Sequence, residues 1–200
     1  MVQLEHMIDT PMWSRALFLD RDGVININHG YVHIIENFEF IDGIFELVRT
    51  AHANGFKVVV ITNQSGIGRG FYSEQHFHQL TSWMCGKFLD AHAPIDKVYF
   101  SPFHPTKGLG KYKKDDFSRK PNPGMILQAH DELDLDLSNS ILIGDKPTDI
   151  EAGIAAGVGF NVFFGKQCPS ERIHQKCHMI TSLLEVLPLL NNHLHSQAFK

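Results

Sequence analysis

Phe18-Leu19-Asp20-Arg21-Asp22-Gly23 is the stretch whose reading decides the fold of this chain. Ala16 to Leu19 form an unbroken apolar run, which predicts a short strand buried on both faces. Two carboxylates, Asp20 and Asp22, follow at its carboxyl end, where ligands sit in open α/β sheets. Gly23 allows the sharp exit that a side chain would obstruct. In that setting one carboxylate can attack phosphorus and help hold Mg²⁺ while the other moves a proton. Acid pairs are common on protein surfaces, so the pair gains its meaning from the strand ends further along the chain.

Apolar runs and helical segments alternate through the rest of the chain. A loop from Asn26 to Asp42 leads to a predicted helix over Gly43–Ala53, stopped at Asn54-Gly55. Lys57 to Ile61 read as a second buried strand, and Ser73-Glu74 open a helix to about Ala91. A third strand at Val98-Tyr99-Phe100 precedes a long loop to Lys120, and Pro123 starts a helix through Glu132. Ser140–Ile143 make a fourth strand, Ile150–Ala156 a helix, and Phe160–Phe164 a fifth strand. A strand-like piece near Met179 and a helix around Leu183–Leu190 complete the pattern. Repeated βα units of these lengths predict an α/β fold: a Rossmann-like parallel sheet with helices on both faces. One domain over 15–200, preceded by an extension at 1–14, is expected.

The 200 residues, 43% hydrophobic and 20% charged, suit one well-buried globular domain. A net charge of −4 leaves no electrostatic footprint for nucleic acid as a partner. Glu5 and Asp9 interrupt the first 14 residues, which do not read as a secretory signal, and no apolar run spans a bilayer. Cys85, Cys168 and Cys177 are odd in number and lack CxxC spacing, which suits a reduced compartment. A cytoplasmic monomer without membrane partners is the expectation. The 13 histidines lack metal-ligand spacing, and none is assigned a metal.

Three later strand ends also finish in polar residues. Thr62-Asn63-Gln64-Ser65-Gly66 offer a hydroxyl, amides and backbone N–H groups that can cradle phosphate oxygens, or else merely cap the next segment. Arg119-Lys120 supply fixed positive charge for a transferring phosphoryl group. Asp145, in Gly144-Asp145-Lys146, can complete an oxygen-rich Mg²⁺ site with Asp20, and Lys146 can meet substrate. Thr148 or Asp149 reads as an N-cap of the following helix.

In their order, these four strand ends resemble the haloacid dehalogenase (HAD) superfamily, over about Arg15 to Leu190. The resemblance implies Asp20 as the nucleophile of an aspartyl-phosphate and Asp22 as acid, then base. It implies Thr62 and Lys120 as stabilisers of the phosphoryl group, with Asp20, Asp145 and the Asp22 carbonyl binding Mg²⁺. The intervals from Asp20 to Thr62 and from Thr62 to Lys120 leave no room for a large cap domain.

The finer motifs are Asp20 to Asn26, His29-Gly30-Tyr31-Val32, Phe38 to Gly43, and Thr62-Asn63-Gln64-Ser65-Gly66-Ile67-Gly68-Arg69-Gly70. Together they are similar to those of the heptose bisphosphate phosphatase family. That likeness implies a phosphorylated sugar as substrate, on the route to nucleotide-activated heptose for surface glycans. It implies substrate contacts at Asn28, His29, Gly30, Tyr31, Thr62, Asn63, Gln64, Ser65, Arg119, Lys120 and Lys146. Histidinol-phosphate phosphatases share the DRDG, TNQ, RKP and GD motifs and are the alternative enzyme. A non-catalytic phosphosugar-binding protein is the alternative outside enzymes, and the complete set of Asp20, Asp22, Thr62, Lys120 and Asp145 speaks against it.

Many relatives carry a structural zinc through Cys-Pro-His and Cys-x-Cys in the loop before the Arg-Lys pair. Here those positions read Ser101-Pro102-Phe103 and Asp116-Phe117-Ser118, so no zinc is expected. Phe103, Tyr112 and Phe117 are expected to pack in its place, with Lys107, Lys111, Lys113 and Lys114 facing solvent.

Overall fold

β1 (Arg15–Leu19) lies inside a six-stranded sheet, paired through Leu19 with Val60 on one side and Ile143 on the other. A computed structural model gives the structure, which describes residues 13–167 and 171–192; Cys168 and most of the expected extension lie outside them. Ser14 bridges Leu135 just ahead of β1.

After β1 come α1 (Ile44–Ala53), β2 (Phe56–Asn63), the short α2 (Ser65–Gly68), α3 (Glu74–Asp90) and β3 (Lys97–Ser101). Next are α4 (Gly124–Leu133), β4 (Ile141–Gly144), α5 (Pro147–Ala156), β5 (Phe160–Phe164), α6 (Glu171–His174), β6 (His178–Ile180) and α7 (Leu187–Asn192). The strands run parallel in the order β3-β2-β1-β4-β5-β6. The chain first winds outward from β1 to β3 and then returns to the opposite side of β1. The switch point between β1 and β4 is where such sheets open a crevice for ligands.

Strand alternation divides the core. Leu17, Leu19, Val58, Val60, Ile141 and Ile143 face α1 and α3, meeting Leu47, Val48, Leu80, Met84 and Phe88. Leu183, Val186 and Leu190 extend that layer. Ala16, Phe18, Val59, Ile61 and Leu142 face the other way, onto Met125, Ile126 and Ala129 of α4 and Ile150 and Ala152 of α5. Each central strand is therefore apolar on both faces, as the unbroken runs predict. The Rossmann-like α/β class is the observed one.

Two boundaries differ from expectation in ways that matter for the site. β2 continues through Thr62 and Asn63, which pair with Phe100 and Ser101 of β3 and so become strand residues. α5 begins at Pro147 rather than Ile150, with proline in the first turn, where its missing N–H costs nothing. α2 and α6, of four residues each, have no counterpart in the sequence reading. The β1–α1 and β3–α4 connections are loops with single 3₁₀ turns at Ile35–Asn37 and Gly110–Tyr112.

Candidate active site

The ends of β1, β2 and β4, joined by the 101–119 loop, converge on one cleft of about 400 Å³. Asp20 leaves β1 with its N–H donating to the Ile143 carbonyl at 3.1 Å, so the two strands flanking the switch point fix its backbone. The residue is 4% exposed. Burial pushes the carboxyl up, and the ammonium groups of Lys120 and Lys146 outweigh that, leaving Asp20 below the usual carboxylate range and ionised.

Lys120 is the charge partner. Its Nζ lies 2.8 Å from Asp20 Oδ1, 2.6 Å from Asp149 Oδ1 and 2.8 Å from the Ile61 carbonyl. An ammonium has three protons, and all three are used. Burial acts to lower its pKa, but Asp149 and Asp20 more than offset this, and Lys120 stays charged. Its backbone is pinned to the end of β2: Asn63 Nδ2 donates to the Lys120 carbonyl at 2.9 Å, and Lys120 N–H returns a bond to Asn63 Oδ1 at 3.0 Å.

Asp149 is a member of this site that the sequence reading placed only as a cap. The N-cap of α5 is Lys146, not Thr148 or Asp149; Asp149 lies at the third helical position and accepts from Lys146 N–H at 2.9 Å. Its other oxygen takes Lys120, and the residue is 1% exposed. The Asp-Lys-Pro-Thr-Asp spacing after β4 carried that signal, since a first-turn acid on a helix entering at a switch point faces the cleft.

Asp20, Asp145 and Asp149 each present an oxygen, all within 4.8 Å of one another. Burial and then Asp20 push the Asp145 carboxyl up to about 7. Gly23 has φ +107, and a Cβ there would collide with the Asp145 carboxylate, so glycine serves both the turn and the close approach. A test of whether a cation suits this site is already in the structure. Lys146 Nζ lies 3.8 Å from Asp20 Oδ2, 3.4 Å from the Asp22 carbonyl and 3.2 Å from Asp145 Oδ1. Those are the three groups expected to hold Mg²⁺, and they gather a positive charge. An oxygen-only donor set fits a hard cation.

Asp22 is held by three donors. Arg21 Nη2 sits 2.9 Å from both of its oxygens, Asn26 Nδ2 3.1 Å from Oδ1, and Gln64 Nε2 2.9 Å from Oδ2. Gln64 Nε2 also donates to Thr62 Oγ1 at 2.8 Å.

Asn28, Gly30, Tyr31, Thr62, Asn63, Gln64, Ser65, Arg119, Lys120 and Lys146 line the cleft with Asp20 and Asp22, joined by Tyr72, Thr148 and Asp149. His29 does not line it. Its exposed ring points to Glu39, 3.7 Å away, because Gly30 and Tyr31 both take positive φ and turn the loop between neighbours. Lys146 lines the cleft and turns its ammonium to the carboxylates at the cleft's base. Arg119 is held by its Nη1 bond to the Phe103 carbonyl at 3.0 Å. At the rim Tyr31 meets Arg69 through its hydroxyl, and the Arg69 guanidinium lies 4.5 Å over the Phe71 ring.

In the 101–119 loop, Ser118 Oγ donates to Asp116 Oδ1 at 2.6 Å and lies 3.1 Å from Ser101 Oγ. Asp116 Oδ2 takes Lys114 at 2.6 Å. Phe103 and Tyr112 approach each other at 6.1 Å, but Phe117 is 61% exposed and does not pack in as expected. Lys107, Lys111, Lys113 and Lys114 are exposed, as expected.

Residues 117–172, which carry Lys120, Asp145 and Asp149, match the HAD-hydrolase-like family. The chain is 51% identical over 179 residues to D-glycero-alpha-D-manno-heptose-1,7-bisphosphate 7-phosphatase of Burkholderia mallei, covering 90% of this chain and 95% of that one. It is 48% identical over 151 residues to the Vibrio cholerae D-glycero-beta-D-manno-heptose-1,7-bisphosphate 7-phosphatase, covering 76% and 81%. Among solved structures, the D,D-heptose 1,7-bisphosphate phosphatase of B. bronchiseptica, complexed with magnesium and phosphate, shares the fold at a TM-score of 0.75 and 22% identity, covering 89% and 98%. A likeness of that extent to the curated relatives, over a sheet whose strand ends gather these carboxylates and this lysine, places the chain in the heptose 1,7-bisphosphate 7-phosphatase family of HAD-like hydrolases.

Proposed function

We propose that this protein hydrolyses the 7-phosphate of a D-glycero-D-manno-heptose 1,7-bisphosphate through an aspartyl-phosphate on Asp20. The observation that supports it most is the pairing of a buried, ionised Asp20 with a triply bonded Lys120 at a cleft open to solvent. The Asp20 carboxylate attacks phosphorus, and the P–O bond to the sugar breaks as Asp22 gives its proton to the departing oxygen. Asp22 then takes a proton from water, whose oxygen attacks the same phosphorus and breaks the bond to Asp20. Inorganic phosphate leaves and Asp20 is restored.

Lys120 offsets negative charge beside the nucleophile throughout, and Thr62, with the N–H groups after β2, faces the phosphoryl oxygens. Asp20, Asp145 and the Asp22 carbonyl would hold Mg²⁺, which, when bound, offsets charge on the phosphoryl group. Support for that ion comes from the oxygen cage and from the magnesium-bound relative. A terminal phosphate suits an uncapped cleft, with the ring and the 1-phosphate outward near Arg119 and Tyr31.

The 101–119 loop works without zinc in this reading. Its four ligand positions offer hydroxyl, carboxylate and phenyl groups, and the polar ones are already bonded to one another or to Lys114.

The test is kcat/KM for both heptose anomers, histidinol phosphate and a simple sugar monophosphate, in wild type, Asp20→Asn and Arg119→Ala. The bisphosphate should be preferred. Asp20→Asn should fall to background, and Arg119→Ala should harm the bisphosphate more than the monophosphate. Equal or better use of histidinol phosphate by the wild type refutes the substrate, and turnover by Asp20→Asn refutes the covalent route.

A further inference from the structure

We infer that Tyr72 is a positioning residue for proton transfer, acting on Asp22 through the side-chain amide of Gln64. The inference rests on the reading of Asp22 as proton carrier, and does not depend on which sugar is bound. Tyr72 does not belong to any of the strand-end motifs. It lies beyond α2 and reaches back into the cleft, with its hydroxyl 2.5 Å from Gln64 Oε1.

The logic is one of donors and acceptors. A primary amide has one acceptor side and one donor side, and a buried one can be turned either way unless its partners decide. Gln64 is 1% exposed, so water does not arbitrate. The phenol donates to Oε1, which turns Nε2 toward Asp22 Oδ2 at 2.9 Å and Thr62 Oγ1 at 2.8 Å. The flipped amide would set Oε1 against the Asp22 carboxylate, acceptor facing acceptor. Tyr72 therefore fixes on which side of Asp22 a donor stands, and Arg21 and Asn26 supply the others. Burial pushes the phenol up to about 12, which keeps its proton available for this bond.

The ring is built into place independently of that bond. It stacks on His33 with centroids 4.8 Å apart and planes 3° from parallel. Its other contact explains a glycine: a Cβ at Gly66 would run into the Tyr72 ring. Ile67 and Phe77 close the cluster around it. A tyrosine that needed only to fill this space would not require a hydroxyl aimed at a buried amide.

Tyr72→Phe removes the hydroxyl and keeps the ring. The experiment compares kcat/KM, which ends at leaving-group release, for heptose 1,7-bisphosphate and for 4-nitrophenyl phosphate. The first leaves as an alkoxide that needs a proton, and the second departs without one. Tyr72→Phe should lower kcat/KM on the sugar ester about tenfold, the upper scale for one hydrogen bond, and change the aryl ester less than about twofold. Asp22→Asn is run on the same pair. If Asp22→Asn discriminates between the esters and Tyr72→Phe lowers both alike or neither, the relay is wrong and the role of Asp22 stands. If Asp22→Asn itself does not discriminate, the role of Asp22 falls, and the relay with it. Should Tyr72→Phe not fold, Gln64→Leu, which keeps bulk and loses the amide, must show the same discrimination or the inference fails.

Discussion

Replacing Lys120 by methionine keeps most of the side-chain volume and removes one charge from a place where three acceptors depend on it. Lys120 is 2% exposed, and the side chains of its partners Asp20 and Asp149 are 5% and 2% exposed. The variant leaves two buried carboxylates and the Ile61 carbonyl without their donor. Breaking a buried pair from one side costs about 3–5 kcal/mol, a large part of the roughly 5–15 kcal/mol that holds a domain together. At about 2–4 °C per kcal/mol for a chain of this size, the melting temperature should drop by about 10 °C. The pH dependence fixes the cause. In the wild type Asp20 sits below its unfolded value, so its stabilisation is present at neutral pH and is lost as pH falls through the folded value. Burial already holds Asp149 above its unfolded value in the wild type. Without the Lys120 charge to oppose burial, Asp20 should join it and Asp149 rise further, so the variant's stability should fall as pH rises past about 4. The gap between the two proteins should therefore be widest near pH 8 and narrow toward pH 5. Thermal and urea unfolding by circular dichroism at the two pH values, with chelator present, measures it. Adding Asp149→Asn to the variant should recover part of the loss. A loss under about 1 kcal/mol at pH 8, or an equal loss at both pH values, refutes the argument that Lys120 is held by charge.

Asp145 is pushed up to about 7, so metal-free protein should lose stability on this account as pH rises from about 4 toward 7, and Mg²⁺ affinity should climb over that interval and level above it. Titration calorimetry that finds affinity flat from about pH 5.5 to 7.5 would contradict the placement of Asp145. Lys146→Gln should raise Mg²⁺ affinity several-fold, because the ammonium now among the same oxygens no longer competes; unchanged or weaker binding sinks that idea. Tag-free protein should contain no stoichiometric zinc by elemental analysis, and a zinc chelator should not change its melting temperature. One tightly held zinc per chain overturns the account of the 101–119 loop.

What could be read in the sequence was whatever a local rule controls. Largely apolar runs marked β1, β2, β4 and β5, and strand ends in a parallel sheet marked Asp20, Thr62 and Asp145. Features set by distant pairing were illegible. Thr62 and Asn63 look like a loop until β3 supplies partners for them. α2 holds two glycines in four residues, a composition against any helix, and it forms because Ile67 and Tyr72 pack there. Asp149 obeys the capping rule and also answers Lys120, and only the second role needs the fold. Gln64 reads as a substrate contact and does line the cleft, but the bond of its amide to Asp22 could not be read from the sequence. His29 was displaced by a turn of two positive-φ residues, one of them a tyrosine that no propensity places there.

The place of β1 in the sheet has a consequence for how this protein is born. β1 finds β2 early, but its other edge waits for β4, as the bond from Ala16 N–H to Ser140 Oγ across 124 residues makes plain. A ribosome must deliver most of the chain before that apolar edge is covered, and until then it can pair with a neighbouring chain. Asp20 emerges among the first elements, while Asp145, Lys146 and Asp149 arrive with the strand that seals the edge. A partly made chain thus holds Asp20 and Lys120 but lacks Lys146 and the acids that complete the charge balance of the site. Chemistry and solubility are completed by the same late segment.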